Sequence, residues 1–364
     1  MEPATRMSPT FRRFLLAFHA RAGLVAGLLL MIVALSGATI SALAWMRRDA
    51  VRESAGAGIH DVRMPFDQLI AQARVAHPAS ALTFIRFFKS PGSLVIVRFA
   101  DGVQVFLNPA TGAPVEREIL YGRLNRFLVS LHTFEYAPGG GFLAGAVALA
   151  ALLLVVTGVR LWWSAGSIRQ QRSAALGSRF RGPRRLIEIH KAVGLCAAVF
   201  IGVSALTGVP QAFSPVLAGL YPLAGFAAPK APRNPMPSDG PGLPMEEIAR
   251  IAAARMPDVR ETVIHFPRKG VVSIQATDTA APHSQAHNYL YLDSATGAEL
   301  GFVPYARVDL GHRIYLWMLA MHLGELGGAP GRLAMLFGAL AVPVLAVTGA
   351  TSFLRRRNQR LPQS

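Results

Sequence analysis

The sequence predicts a membrane α-helical bundle of four transmembrane helices carrying two small α+β modules, built as a tandem duplication. Three observations predict it. Four apolar runs, near 22–46, 142–163, 192–213 and 333–354, are each long enough to cross about 30 Å of hydrocarbon at about 1.5 Å per residue. The stretch 18–37 returns at 189–208, with His19, Gly23 and Gly37 matching His190, Gly194 and Gly208 at one offset of 171. The connections between the apolar runs have ordinary domain composition, and their helix, strand and turn signals also recur. Each half holds an even number of spans, so both copies share one membrane orientation. Their natural relation is a pseudo-twofold axis along the membrane normal.

The elements follow in order. Residues 1–21 form a basic N-terminal segment before the first span, 22–46, whose apolar run is too long for the core of a cleaved signal peptide. The first module, 47–120, opens a helix at Met64-Pro65-Phe66 and closes it before Pro78, as proline does at the first turn and after the last. Strand-like runs follow at Leu82–Phe88, Leu94–Phe99 and Val103–Leu107, then a turn at Asn108-Pro109-Ala110-Thr111-Gly112. A border helix and break occupy 121–141. Leu124, Phe127, Leu128 and Leu131 make its apolar face, His132 ends it, and Ala137–Gly141 breaks the chain. The second span, 142–163, closes on Thr157-Gly158 and the interface anchors Trp162 and Trp163.

After a basic loop at 164–191 the pattern repeats. The third span is 192–213 and the second module 214–306, with a helix between Pro244 and Pro257. Its strand-like runs are Val259–Phe266, Val271–Ala276 and Asn288–Leu292, and the turn Asp293-Ser294-Ala295-Thr296-Gly297 matches the first. Six extra residues lie within Asp278–His287. A second border helix and break, 307–332, contain Ile314–His322 and Gly327–Gly331. The fourth span, 333–354, closes on Thr348-Gly349 before the tail 355–364.

The net charge of +17 would suit nucleic acid, but its distribution excludes that partner. Sixteen bases, among them Arg12, Arg13, Arg21, Arg184, Arg185, Lys191 and Arg355, flank the spans on one side, with only Glu2 and Glu188 as acids. The rest of the chain has 21 bases against 18 acids. The positive-inside rule makes the basic side cytoplasmic, puts both termini there, and turns the two modules to the periplasm. The surrounding partner is membrane lipid. Cys196 is the lone cysteine, so no intrachain disulfide is available. No GxSxG, HExxH, P-loop or dinucleotide fingerprint is present, so an enzyme reading rests on a bound redox cofactor.

Four of the ten histidines obey the repeat: His19 with His190, and His132 with His322. A twofold axis turns equivalent residues toward each other, giving one pair at the cytoplasmic border and one at the outer border. Two facing imidazoles in an apolar bundle are what bis-histidine haem ligation requires. Gly23, Gly27, Gly37, Gly194, Gly202 and Gly208 would give the helices or the flat ring room, and the inner arginines and Lys191 would meet propionates. A border histidine beside Arg or Lys also serves as a plain boundary marker, so the residues alone leave both readings open. Glu135 and Glu325 follow the outer histidines by three, as orienting groups or as hydrated border. His283 and His287 have a metal-compatible spacing, but Pro282 places them in a solvated loop. His60, His77 and His265 read as surface residues, and His312 has Gly122 as its counterpart, so it shares no ligand role.

These stretches resemble the PepSY-associated transmembrane family, which includes bacterial inner-membrane reductases of ferric siderophores. The resemblance runs through the His-x3-Gly starts, the Leu-Thr-Gly-like endings, the Asp/Asn-x3-Gly turns, and Met321-His322-Leu323-Gly324-Glu325 with Gly331-Arg332. It implies two PepSY-like periplasmic modules and two b-type haems, with His19, His190, His132 and His322 as the iron ligands. It also implies an oxidoreductase of the bacterial inner membrane that passes electrons to ferric siderophore in the periplasm and releases ferrous iron. The electron donor would be a quinol or a cytoplasmic reductase, and periplasmic iron-uptake proteins would be partners. The alternative is a non-catalytic regulator of an exported peptidase or envelope partner, or a transport accessory subunit. Two departures from the family pattern are the glycine-rich Ala137–Gly141 and Thr351-Ser352-Phe353, where tryptophans are expected.

Overall fold

The computed structural model describes residues 7–53, 63–90, 93–164, 183–234 and 242–358. The chain forms two compact units. The first, helical, takes in the start of the chain to Ala42, Leu128–Pro215, and Met321 onward. The second, built on a sheet, takes in Leu43–Phe127 and Val216–Ala320.

Among the described residues, four helices are long and apolar enough to cross a membrane: α1 (Pro9–Glu53), α4 (Gly140–Trp163), α5 (Pro183–Ala212) and α9 (Gly328–Asn358). Helices α1, α5 and α9 extend beyond the runs read from hydropathy, because flanking polar residues continue a helix once packing has nucleated it, whereas α4 adds only Gly140 and Gly141. Large side chains such as Val25, Leu28, Val156 and Val199 stay exposed along them, as lipid-facing positions do. Helix α5 packs against α4 and α9. Helix α1 meets the same two, through Gly23 against Leu154 and Gly27 against Ala346. Helices α3 (Glu116–His132) and α8 (Leu310–His322) carry the chain from the second unit into the first.

The strands of the two α+β modules belong to one sheet. Strands β1 (Leu82–Phe88), β2 (Val95–Phe99), β3 (Gln104–Leu107), β4 (Val259–Arg268), β5 (Val271–Asp278), β6 (His287–Asp293) and β7 (Glu299–Val303) form one antiparallel sheet. Their order is β3-β2-β1-β4-β5-β6-β7. The modules fuse where β1 pairs with β4, from Phe84 opposite His265 to Phe88 opposite Glu261. An exposed edge on each module invites pairing, and joining the two edges removes both. The seventh strand was not read from the sequence; its Glu-Leu-Gly-Phe-Val is short and interrupted by glycine.

Helices α2 (Phe66–Ala76) and α7 (Met245–Arg255) cover one face of the sheet. Their apolar sides, with Leu69, Ala73, Ile248 and Ala252, meet Ile85, Val97, Ile264, Ile274 and Leu290 in one core. Neither helix caps itself, since both N-caps are prolines, Pro65 and Pro244. Each is capped by the other. The Asp67 carboxylate accepts from the N–H groups of Met245 and Glu246 at 2.8 and 3.1 Å, and Glu246 accepts from Phe66 N–H at 2.8 Å. Carboxylates at helix N-termini satisfy free N–H groups and favour the dipole, so the exchange locks the two halves together. A short helix α6 (Ser214–Leu220) and a 3-10 turn at Tyr221–Ala224 follow the third span; neither was predicted.

Candidate functional site

The four repeat histidines all lie in the helical unit, and they meet in two pairs. His19 on α1 faces His190 on α5 with ring centres 6.2 Å apart. His132, ending α3, faces His322, ending α8, at 6.1 Å. Each pair takes one histidine from each half of the chain.

Each ring is held in the same way. His19 Nδ1 lies 2.8 Å from Thr157 Oγ1. His190 Nδ1 lies 3.1 Å from both Leu345 O and Thr348 Oγ1. His132 Nδ1 lies 2.8 Å from Val33 O and 3.3 Å from Ser36 Oγ. His322 Nδ1 lies 3.0 Å from Ser204 O and 3.2 Å from Thr207 Oγ1. A carbonyl only accepts, so Nδ1 carries the hydrogen at the last three rings. The hydroxyls agree, because each donates to the carbonyl four residues back: Ser36 to Ile32, Thr157 to Leu153, Thr207 to Val203 and Thr348 to Val344, at 2.6–2.7 Å. The hydroxyl hydrogen is used there, which leaves the oxygen to accept from imidazole. Nε2 therefore keeps its lone pair, and among the described residues no hydrogen bond reaches it.

A glycine follows each hydroxyl residue and makes the approach possible. A Cβ on Gly37 would lie 2.9 Å from His132 Cε1, and one on Gly158, Gly208 or Gly349 would lie 3.2 Å from Cε1 of His19, His322 or His190. Of the six glycines singled out in the sequence, only Gly37 and Gly208 are forced in this way. Gly23, Gly27 and Gly202 would meet their neighbours at 3.7–3.8 Å, and Gly194 at 3.4 Å. The essential partners Gly158 and Gly349 lie on the second and fourth spans. Their signal was a hydroxyl residue followed by glycine, present once per span.

The pairs lie at two levels. His19 and Gly37 are on the same helix, and 18 residues at 1.5 Å each put about 27 Å between the levels. That is close to the thickness of a bilayer's hydrocarbon core, about 30 Å.

The arrangement suits a metal held by two protein nitrogens. A bond of about 2 Å on each side, plus about 1 Å from nitrogen to ring centre, puts facing rings about 6 Å apart. The engaged Nδ1–H groups fix the tautomer and orientation that metal-bound imidazoles have. Among the described residues, no group of three or more His, Cys, Asp or Glu side chains could hold a metal ion. A porphyrin supplies its own four nitrogens and asks for only two axial ligands.

Other expectations change. Glu135 takes a hydrogen bond from Ser130 at 2.5 Å, so hydroxyls and carbonyls orient His132 instead. Lys191 pairs with Glu188 at 2.8 Å. His283 is not on a solvated loop: it is 5% exposed, with its ring 4.6 Å from Trp317 and Nε2 3.1 Å from the Tyr305 hydroxyl. Within the segment that holds the six extra residues, His283 turns onto Tyr305 and Trp317 while Thr279, Ala280 and Pro282 stay exposed. His287 lies on β6, with Nδ1 2.8 Å from Thr277 Oγ1. Burial, with the Arg86, His283 and Arg260 charges, pushes its pKa down to about 4. His265 is half-buried rather than a surface residue, His77 pairs with Asp101, and His312 stacks on Tyr315. His60, Arg6 and most of the basic loop lie outside the described residues.

The sequence profile described as the PepSY-associated TM region matches residues 16–356, which takes in all four spans and the whole sheet. Among curated proteins, none matches the chain.

Proposed function

Since the chain belongs to the PepSY-associated transmembrane-region family, we propose that it is a di-haem membrane oxidoreductase that reduces ferric chelates of the siderophore class. One observation carries the reading: two facing histidine pairs, each with Nδ1 engaged and Nε2 free of hydrogen bonds, about 27 Å apart along α1. His19 and His190 would hold one haem b, and His132 and His322 the other. A bound haem supplies one-electron chemistry at an iron that changes valence without leaving the protein.

The chain's own residues do the rest. Ser36, Thr157, Thr207 and Thr348, with the carbonyls of Val33, Ser204 and Leu345, keep the hydrogen on Nδ1 and the rings turned toward the iron position. The four glycines let each ring lie against a neighbouring helix. The apolar lengths of α1, α4, α5 and α9 exclude water between the levels. A second level supports transfer across a bilayer, for which a single site would be too distant from one side. Ferric iron is hard and tightly held by oxygen chelators, and one added electron loosens those bonds.

The charge bias supports an inner-membrane orientation with both termini cytoplasmic and the sheet unit periplasmic. His19 and His190 then form the inner pair and His132 and His322 the outer one. The test is absorbance of the purified protein with His→Ala variants. A Soret band with two haems per chain is expected, one lost in His19→Ala or His190→Ala and the other in His132→Ala or His322→Ala. A colourless protein favours the regulator reading, and loss of one and the same haem in His19→Ala and His132→Ala overturns the pairing.

A further inference from the structure

The sheet has two unlike faces. One is the apolar core under α2 and α7. On the other, the register lines up a polar lane across the four middle strands. Arg98 on β2 lies opposite Phe84 on β1, Phe84 opposite His265 on β4, and His265 opposite Ser273 on β5. One step along, Arg86 lies opposite Val263, and Val263 opposite Gln275. The ends of this face are covered. At β3, Phe106 is buried beside Gly122 of α3. At β6, Tyr289 and Tyr291 pack with Val271 and Val308. Between them Arg98, Phe84, Arg86, His265, Ser273 and Gln275 are half-exposed.

Arg86 Nε, Glu261 Oε1 and His265 Nε2, on the adjacent strands β1 and β4, are buried without a hydrogen bond. Arg86 and Glu261 approach as an ion pair at 2.7 Å, but the contact lacks hydrogen-bond alignment. Buried polar atoms left unbonded are costly, and folded proteins keep few. Glu261 Oε1 keeps its ion pair with Arg86, whereas Arg86 Nε donates and His265 Nε2 donates as the Nε2–H tautomer, so an acceptor from outside would complete these two. The charge of the lane says which kind: two guanidiniums, one carboxylate, and otherwise neutral groups able to donate. Burial, with the Arg268 and Arg86 charges, lowers the pKa of His265 and so favours the neutral ring.

We propose that the seam between β1 and β4 is a binding site for a small polycarboxylate, gripped by Arg86 and Arg98 with His265 Nε2 as a further hydrogen-bond partner. A guanidinium matches a carboxylate edge with two parallel hydrogen bonds. Arg86 and Arg98 are diagonal neighbours on paired strands, about 7–8 Å apart at Cα. That spacing suits two carboxylates of one molecule, with the Phe84 ring, opposite Arg98 and 5.6 Å from His265, as an apolar floor beside them. The site stands on the sheet unit alone and does not depend on haem or on electron transfer.

Isothermal titration calorimetry tests it on the full chain in zwitterionic nanodiscs, with citrate as the probe and inorganic phosphate as the comparator. Citrate is expected to bind one per chain, about tenfold or more weakly in Arg98→Gln and in His265→Gln, the loss of one charge-assisted contact. Arg86→Gln also breaks the ion pair with Glu261, so the other two variants decide if it fails to fold. No heat at millimolar citrate, or the same affinity in both deciding variants, overturns the site. Phosphate binding as tightly as citrate overturns the carboxylate class. If citrate binds at the seam and no ferric chelate is reduced, the site stands and the reductase reading does not.

Discussion

Single residues decide whether an imidazole can serve as a ligand. His19 differs from the other three rings: its Nδ1 bonds to Thr157 alone, whereas His190, His132 and His322 each have a backbone carbonyl as well. Thr157→Val keeps the shape and removes that single acceptor, so affinity for the haem proposed at His19 and His190 should fall about tenfold or more. Thr348→Val leaves Leu345 O to hold His190 and should cost less. Haem transfer to apomyoglobin measures both, and equal losses would remove the role given to Thr157. The glycines permit a second comparison. Gly37→Ala puts a methyl 2.9 Å from His132 Cε1 and should deplete only the His132–His322 haem. Gly23→Ala meets Leu154 at 3.7 Å and should leave both haems in place, as a pyridine haemochrome titration would report.

Elements are joined by polar contacts at their ends. The exchanged caps between α2 and α7 mean that Asp67→Ala or Glu246→Ala should destabilise the sheet unit by about 1 kcal/mol each, the usual value of an N-cap. Chemical denaturation checks this. A double variant less damaging than the two single effects combined would show the caps to be coupled. The β6–β7 turn adds a pH dependence. Backbone N–H of Thr296, the Asn234 amide, and the Thr296 hydroxyl with Ala295 N–H hold Asp293 down to about 2, against an ordinary 3.8. A depressed folded pKa gives stability that is full above the unfolded value and fades as pH falls toward the folded one. The wild type should therefore lose stability between about pH 4 and pH 2 through this group. Asp293→Asn should lack that component, because asparagine does not titrate; the equivalent Asn108 turn already works without a charge, through Ala110 and Thr111 N–H. Acid unfolding followed by circular dichroism separates the two proteins.

The molecule as a whole is proposed to move electrons in one direction, from the basic side of the membrane to the other. A reporter fused after Ser364 or within 166–182 should be cytoplasmic, and one within 278–287 periplasmic. A periplasmic C-terminus would exchange the inner and outer pairs. Reduced protein mixed anaerobically with a ferric siderophore should reoxidise and yield Fe²⁺ to a ferrous trap, while the redox-inert gallium complex should do nothing. His322→Ala should block reoxidation with the inner haem still reducible. Reoxidation by quinone but by no ferric chelate would assign the flow to the membrane pool.

Whatever depends on near neighbours and on composition is legible in the chain before it folds. Four spans follow from uncharged length, six of the seven strands from alternation between turn residues, and the two histidine couples from a constant offset of 171. Whatever depends on residues distant in the chain becomes visible once the elements are packed. The β1–β4 pairing joins segments about 178 residues apart, and no local pattern states which open edge meets which. The acceptors for the histidines are 96–158 residues away, so Ser36, Thr157, Thr207 and Thr348 read only as small span endings until the helices were packed. His283 was misread for the same reason. Pro282 favours a turn, but burial against Trp317 and Tyr305 comes from strands and helices that its own neighbourhood does not encode.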